Sequence, residues 1–182
     1  MKNNRLYTYL LKMIASNAIL KVFAVIIVLV LSSCGIYSFK DAVIPENVKT
    51  IKIGFIENKA RYVNPQLAPM LTDKLQQKII SQTKLIRTNN DDAHYQIYAT
   101  ITTYDPSQTV GVSAQQASTN RLTVTVHVIL KKTLDNKEQE FDVSRNFDFS
   151  ANLTLNQAES QMMEDIVRNI TDDIFNQIFS NW

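Results

Sequence analysis

Apolar residues are spaced in three different ways along this chain, and each spacing predicts a different element. Residues 22–31, "VFAVIIVLVL", form an unbroken apolar run. Further on, "VKTIKIGFIEN" sets Val48, Ile51, Ile53 and Phe55 in a β-branched-rich stretch closed by Asn58, which predicts a first strand. The spacing then changes. "NPQLAPMLTDKLQQKIISQ" places Leu67, Leu71, Leu75 and Ile79 four apart, the stripe of an amphipathic helix. A proline deeper than the first turn clashes with the carbonyl four residues back, so this helix is predicted to begin near Pro69.

Period-two alternation returns in three runs. Tyr95, Ile97, Ala99 and Ile101 alternate through "HYQIYATITTYD", and Leu122, Val124, Val126, Val128 and Leu130 through "RLTVTVHVILKK". In "EQEFDVSRNFDF", Phe141, Val143, Phe147 and Phe149 line one side, with Arg145 on the same side. An edge position from which Arg145 reaches solvent, a bulge that shifts the register, and a buried functional arginine all fit that placement. "LDNKEQ" is a short hairpin turn whose Asp-Asn pair suits positive φ. Asp105 to Asn120, polar and uncharged after its first residue, is predicted to be a long connection, either functional or simply flexible. Asn156 as N-cap with Glu159 three residues later would open a last helix. Its stripe is Met163, Ile166, Ile170, Ile174 and Ile178, widened near the end by Phe175, Phe179 and Trp182.

The predicted fold is an α+β two-layer sandwich: one mainly antiparallel four-stranded sheet with two helices on one face, in the order βαβββα. Thr123, Thr125 and His127, with Tyr98 and Tyr104, would look outward from the other face.

The first apolar run belongs to a leader. Residues 1–33 carry Lys2, Arg5, Lys12 and Lys21 and no acid. Val22 to Leu31 is about half the roughly 20 apolar residues that a spanning helix needs. A basic segment, a short apolar core and then Leu31-Ser32-Ser33-Cys34 have the order of a bacterial lipoprotein signal, in which the cysteine is acylated and the chain is cut just before it. Cys34, the only cysteine, is thus the expected lipidation site, and no disulfide is expected. Initiation at Met13 instead of Met1 would give a leader of more ordinary length. The expected organisation is a signal peptide over 1–33, a lipidated linker over 34–47 and a single domain over 48–182.

Without the leader, 15 basic residues face 17 acidic ones, so the positive charge of the whole chain does not belong to the domain. A nucleic-acid footprint is not expected. The three glycines, Gly35, Gly54 and Gly111, are too scattered to cradle a phosphate. His94 and His127 lack metal-like spacing to further ligands, so no metal and no cofactor beyond the lipid on Cys34 are expected. No nucleophile and base can be paired from the sequence, and no catalytic residue is assigned.

"CGIYSF" at the cleavage site, "IPENVKTIKIGFIENKARYVNP" leading into the first helix, "NRLTVTVHV" and the closing "DDIFNQIFSNW" together resemble the LptE family of lipopolysaccharide-assembly lipoproteins, in its Bacteroidetes-like branch. The resemblance covers essentially the whole chain after the leader. It implies a non-enzymatic protein, lipid-anchored on the periplasmic side of the outer membrane, that plugs and helps assemble the LptD β-barrel. The pair would form the translocon that inserts lipopolysaccharide into the outer leaflet. Gly35 after the acylated cysteine is compatible with delivery to that membrane. An anionic lipopolysaccharide calls for cations, and Arg121, Lys131 and Lys132, at the two ends of the central strand, are the candidate contacts; ordinary solvated strand ends are the alternative. The rival functional class is a stand-alone periplasmic lipid- or peptide-binding lipoprotein, which would hold a ligand-sized apolar pocket.

Overall fold

Strand β1 (Thr50–Ile53) buries Ile51 and Ile53 and then meets Gly54, whose N–H bonds the Ile97 carbonyl at 2.9 Å. A Cβ at Gly54 would stand 3.3 Å from that carbonyl oxygen and 3.2 Å from the Tyr98 ring, so the close approach of the two strands favours glycine. The alternation slips here: Phe55 is 64% exposed and Ile56 takes the core position. The computed structural model describes residues 44–110 and 119–180, so the leader, Cys34, Gly35, Gly111 and Trp182 lie outside the described residues.

After β1 come β2 (Glu57–Asn58), α1 (Leu67–Gln82), β3 (Ile86–Arg87), β4 (Tyr95–Val110), β5 (Thr119–Lys132), β6 (Lys137–Ser150) and α2 (Leu155–Phe179). The α+β class, the two helices and the long strands agree with the sequence reading, but the sheet does not. Among the described residues it is mixed and six-stranded, in the order β3-β1-β4-β5-β6 with β2 also paired to β4. β1 runs parallel to both β3 and β4, and only β4, β5 and β6 form an antiparallel meander. The reason is the connection: β1 reaches β4 through a helix, and such a crossover returns the chain in the same direction. β2 and β3, two residues each, are too short to show a period.

α1 starts at Leu67, two residues before the expected Pro69. Pro69 falls in the first turn, where its missing N–H would have had no helical partner. α2 is capped by Thr154, not Asn156, and its capping box closes through Gln157, not Glu159. Ile51, Ile53, Ile97 and Ile101 and the even residues Leu122 to Leu130 meet Leu67, Leu71, Leu75 and Ile79 of α1 and Ile166, Ile170 and Ile174 of α2 in one core. Phe175 and Phe179 are buried in it, as the packing of the stripe predicts. Among the described residues no helix is long and apolar enough to cross a membrane.

Every described residue of the expected connection 105–120 is strand. β4 extends to Val110 and β5 begins at Thr119, with Gln108 opposite Arg121 and Thr109 opposite Asn120; only 111–118 lie outside the described residues. A ribbon that is polar on both sides has no alternation to read. Pro106 and Ser107 sit in a register shift, where proline cannot donate to the ladder and Ser107 N–H bonds Asp105 Oδ1 at 2.9 Å. In the β5–β6 turn the positive-φ residue is Asn136, at φ 50°.

Strand directions define two ends. The lower end holds the start of β1, the last turns of both helices and the β5–β6 turn; the upper end holds the 59–66 loop, the far end of β4 and the start of α2.

Candidate functional site

The odd-numbered residues of β5 point away from the helices, and each meets a β6 residue in unbroken register. Polar types at these positions turn the outward face into a ladder of cross-strand pairs. Arg121 forks onto Asp148, with Nε–Oδ1 at 2.6 Å and Nη2–Oδ2 at 2.9 Å. Thr123 donates to Asn146 Oδ1 at 2.9 Å, and the Thr125 and Ser144 hydroxyls stand 2.9 Å apart. His127 Nδ1 lies 2.8 Å from Asp142 and its Nε2 lies 3.7 Å from Glu140. Lys131 pairs with Glu138 at 3.3 Å and sits over the Tyr98 ring.

The ladder continues onto β4 and β1. Tyr98 donates to Gln96 Oε1 at 3.0 Å, Gln96 Nε2 donates to the Asp91 carbonyl at 2.6 Å, and Lys52 pairs with the Asp91 carboxylate. The cations Lys52, Arg121 and Lys131 pair with Asp91, Asp148 and Glu138, whereas Glu140 and Asp142 face His127, so the face is polar and acidic on balance. Hydrogen bonds from Arg121 hold the Asp148 carboxyl below the usual carboxylate range and raise the guanidinium above its own. Lys52 lowers Asp91 in the same way.

Arg121 and Lys131 are on this face, ten residues apart on one strand, roughly 34 Å at the rise of an antiparallel strand. Lys132 has the opposite parity and lies over the Tyr95 ring, 6.0 Å from its centroid. The structure therefore brings Lys131 and Lys132 to the lower end and leaves Arg121 in the upper half. Tyr98 is half-buried on the outward side as expected, whereas Tyr104 is not outward at all: a register shift between Ile101 and Thr103 turns it into the core, 2% exposed. Arg145 lies on the apolar side of the edge strand β6 without any bulge between β5 and β6. It reaches out to Asp173 of α2, with Nη2–Oδ1 at 2.7 Å.

A polar cluster at the upper end was not anticipated. Tyr104 Oη donates to Glu159 Oε1 at 2.7 Å, and Tyr62 stacks on Tyr104 with ring centroids 5.5 Å apart. Glu159 is only 7% exposed. Burial, reinforced by the Glu159 bond, pushes the Tyr104 hydroxyl far above its usual value. Glu159 lies four residues before Met163 in the buried stripe of α2, and a carboxylate on that stripe was the available signal.

The model of the lipopolysaccharide-assembly family LptE matches residues 48–178. The chain belongs to the LptE family. The matched span runs from just before β1 to the last turn of α2 and so covers the whole described sheet and both helices. No curated protein matches the chain. Among solved structures, a Helicobacter pylori neuraminyllactose-binding hemagglutinin homolog superposes at TM-score 0.53 and 9% identity, covering 79% of this chain and 90% of its own. A Xanthomonas campestris protein superposes at TM-score 0.50 and 11% identity, covering 74% of this chain and 86% of its own. At these identities the likeness is one of fold.

Proposed function

We propose that this LptE-family protein is an outer-membrane lipoprotein, anchored on the periplasmic side by acyl chains on Cys34, that plugs and helps assemble an LptD-type β-barrel. With that barrel it forms the translocon that inserts lipopolysaccharide into the outer leaflet. The observation that carries this reading is the family match across the whole described domain. In this reading residues 1–33 are the export signal, 34–47 the lipidated linker and 48–182 the domain, of the Bacteroidetes-like branch. The role is one of filling and holding, without catalysis.

The physical form supports it. Sixteen residues of β4 extend over roughly 50 Å, long enough to run through a barrel from its periplasmic mouth. Arg121, Thr123, Thr125 and Lys131 of the outward face are already paired across the strands, which lowers the cost of their entry into a confined lumen. Glu140 and Asp142 are left to meet donors on the barrel wall. The space between sheet and helices is filled by Leu71, Leu75, Ile79, Ile166 and Ile170, where a stand-alone carrier of lipid or peptide would keep a chamber. Lys131 and Lys132 at the lower end, and Arg121 where Asp148 releases it, are the proposed lipopolysaccharide contacts.

A photo-crosslinking residue placed in vivo at Thr125, on the sheet face, and separately at Gln77, on the exposed side of α1, tests the plug. A protein enclosed by a barrel forms crosslinks from both positions to one large β-barrel protein. Crosslinks from one face only, or from neither, would contradict enclosure.

A further inference from the structure

Ile44, the first described residue, lies in the wall of a surface cleft of about 640 Å³ at the lower end. Pro45, Val48 and Leu85 continue its apolar lining, and Lys49 and Lys84 are exposed on it, with Glu46 the one carboxylate among its described residues. The corner is firmly tied: Val48 N–H bonds the Pro45 carbonyl and Ile86 N–H bonds the Lys49 carbonyl, at 2.9 and 2.8 Å. Ile80 at the end of α1 and Ile86 on β3 bracket the cleft-lining stretch 81–85, and they are 48% and 67% exposed. Two large aliphatic side chains open to solvent next to two lysines make an amphipathic surface of the kind that settles at a lipid interface.

The tether decides what covers it. Nine residues lie between Cys34 and Ile44, and the ten residue steps that join them span at most about 35 Å at full extension. The corner bearing Ile44 is therefore held within about 35 Å of an acylated Cys34, closer than the tether allows for the upper end. We propose that this corner docks on the anionic phospholipid leaflet that holds the Cys34 acyl chains, with Ile80 and Ile86 entering the headgroup layer and Lys49 and Lys84 on lipid phosphates. The proposal rests on the reading of Cys34 as acylated, and it adds a second, reversible membrane contact to a covalent anchor. Charge attraction to anionic lipid falls off within a Debye length, so the contact weakens in high salt.

The mature acylated protein, carrying Ile86→Cys labelled with an environment-sensitive fluorophore, is reconstituted into vesicles of phosphatidylethanolamine and phosphatidylglycerol at 3:1. Quenching by doxyl-labelled lipid is read against a second label at Ser107→Cys, at the upper end. The expected result is several-fold stronger quenching at position 86 than at 107, reduced to the level at 107 in pure phosphatidylcholine vesicles and in the Lys49→Glu, Lys84→Glu double variant. Equal, weak quenching at both positions in protein that still floats with the vesicles would overturn the docking while leaving the anchor intact. Quenching at 86 that is the same on phosphatidylcholine would overturn the anionic assignment. Mass spectrometry of the N-terminal peptide reads the anchor separately, and an unmodified Cys34 would remove both the tether and the proposal built on it.

Discussion

Tyr104 and Glu159 form a pair whose value comes from its burial. Replacing Tyr104 with Phe leaves a buried carboxylate without its donor, which costs about 1–3 kcal/mol and is measurable by urea denaturation. The pair also sets an alkaline limit. The Tyr104 hydroxyl ionises at higher pH in the folded chain than in the unfolded one, so its contribution is complete below about pH 10 and is lost as pH rises further. Urea midpoints of the native chain should fall between pH 10 and 11 more steeply than those of Tyr104→Phe. Asp148 acts in the opposite sense. Its carboxyl is held low by Arg121, so its contribution is present above about pH 4 and disappears as pH falls through the depressed value. Asp148→Asn should flatten part of the acid limb of the stability profile. At Asn136 the backbone is left-handed, so Asn136→Val should cost about 1–2 kcal/mol and Asn136→Gly little or nothing, by thermal denaturation. The positive φ in this turn was legible from its Asp-Asn pair. The placement of Glu159 was not, because a capping box at Asn156 and a buried acid at Glu159 compete for the same residue, and only the neighbouring Tyr104 decides between them.

Among the elements, the long strands and both helices were legible because each buries one face and its period survives. Parallel pairing was not read from periodicity, since a period of two says which face is buried and nothing about the partner's direction. The information lay in the connection, where a helix between two strands of one sheet calls for a parallel return. The outer parts of β4 and β5 were read as a loop because Thr, Ser and Gln on both sides hide the alternation. Strand β6 is fourteen residues long and, among the described residues, has no neighbour on its outer side in the sheet order, a form that invites pairing with another chain. Its charges, and Arg145 pointing to the apolar side and out to Asp173, protect it. Arg145→Val would complete an apolar stripe from Phe141 to Phe149 on that open edge. Sedimentation should then show concentration-dependent self-association that the native chain lacks, and an unchanged monomeric profile would refute the protective role.

At the scale of the whole molecule, the two ends differ in kind. The lower end holds Ile44, the first described residue, and carries Lys131 and Lys132, and the upper end holds the Tyr62, Tyr104 and Glu159 cluster and the far end of the β4–β5 ribbon. In the proposed assembly the lower end faces the inner leaflet and the ribbon points outward along the barrel. The candidate sites were less legible than the fold. The sequence marks cations but not their partners, and Asp148 and Glu138, which engage Arg121 and Lys131, are identified only by cross-strand register. The most direct test of the account is gentle detergent extraction of the outer membrane and recovery of a C-terminally tagged copy under washing. A large β-barrel protein retained in one-to-one amount is the predicted result; recovery of the lipoprotein alone would contradict it.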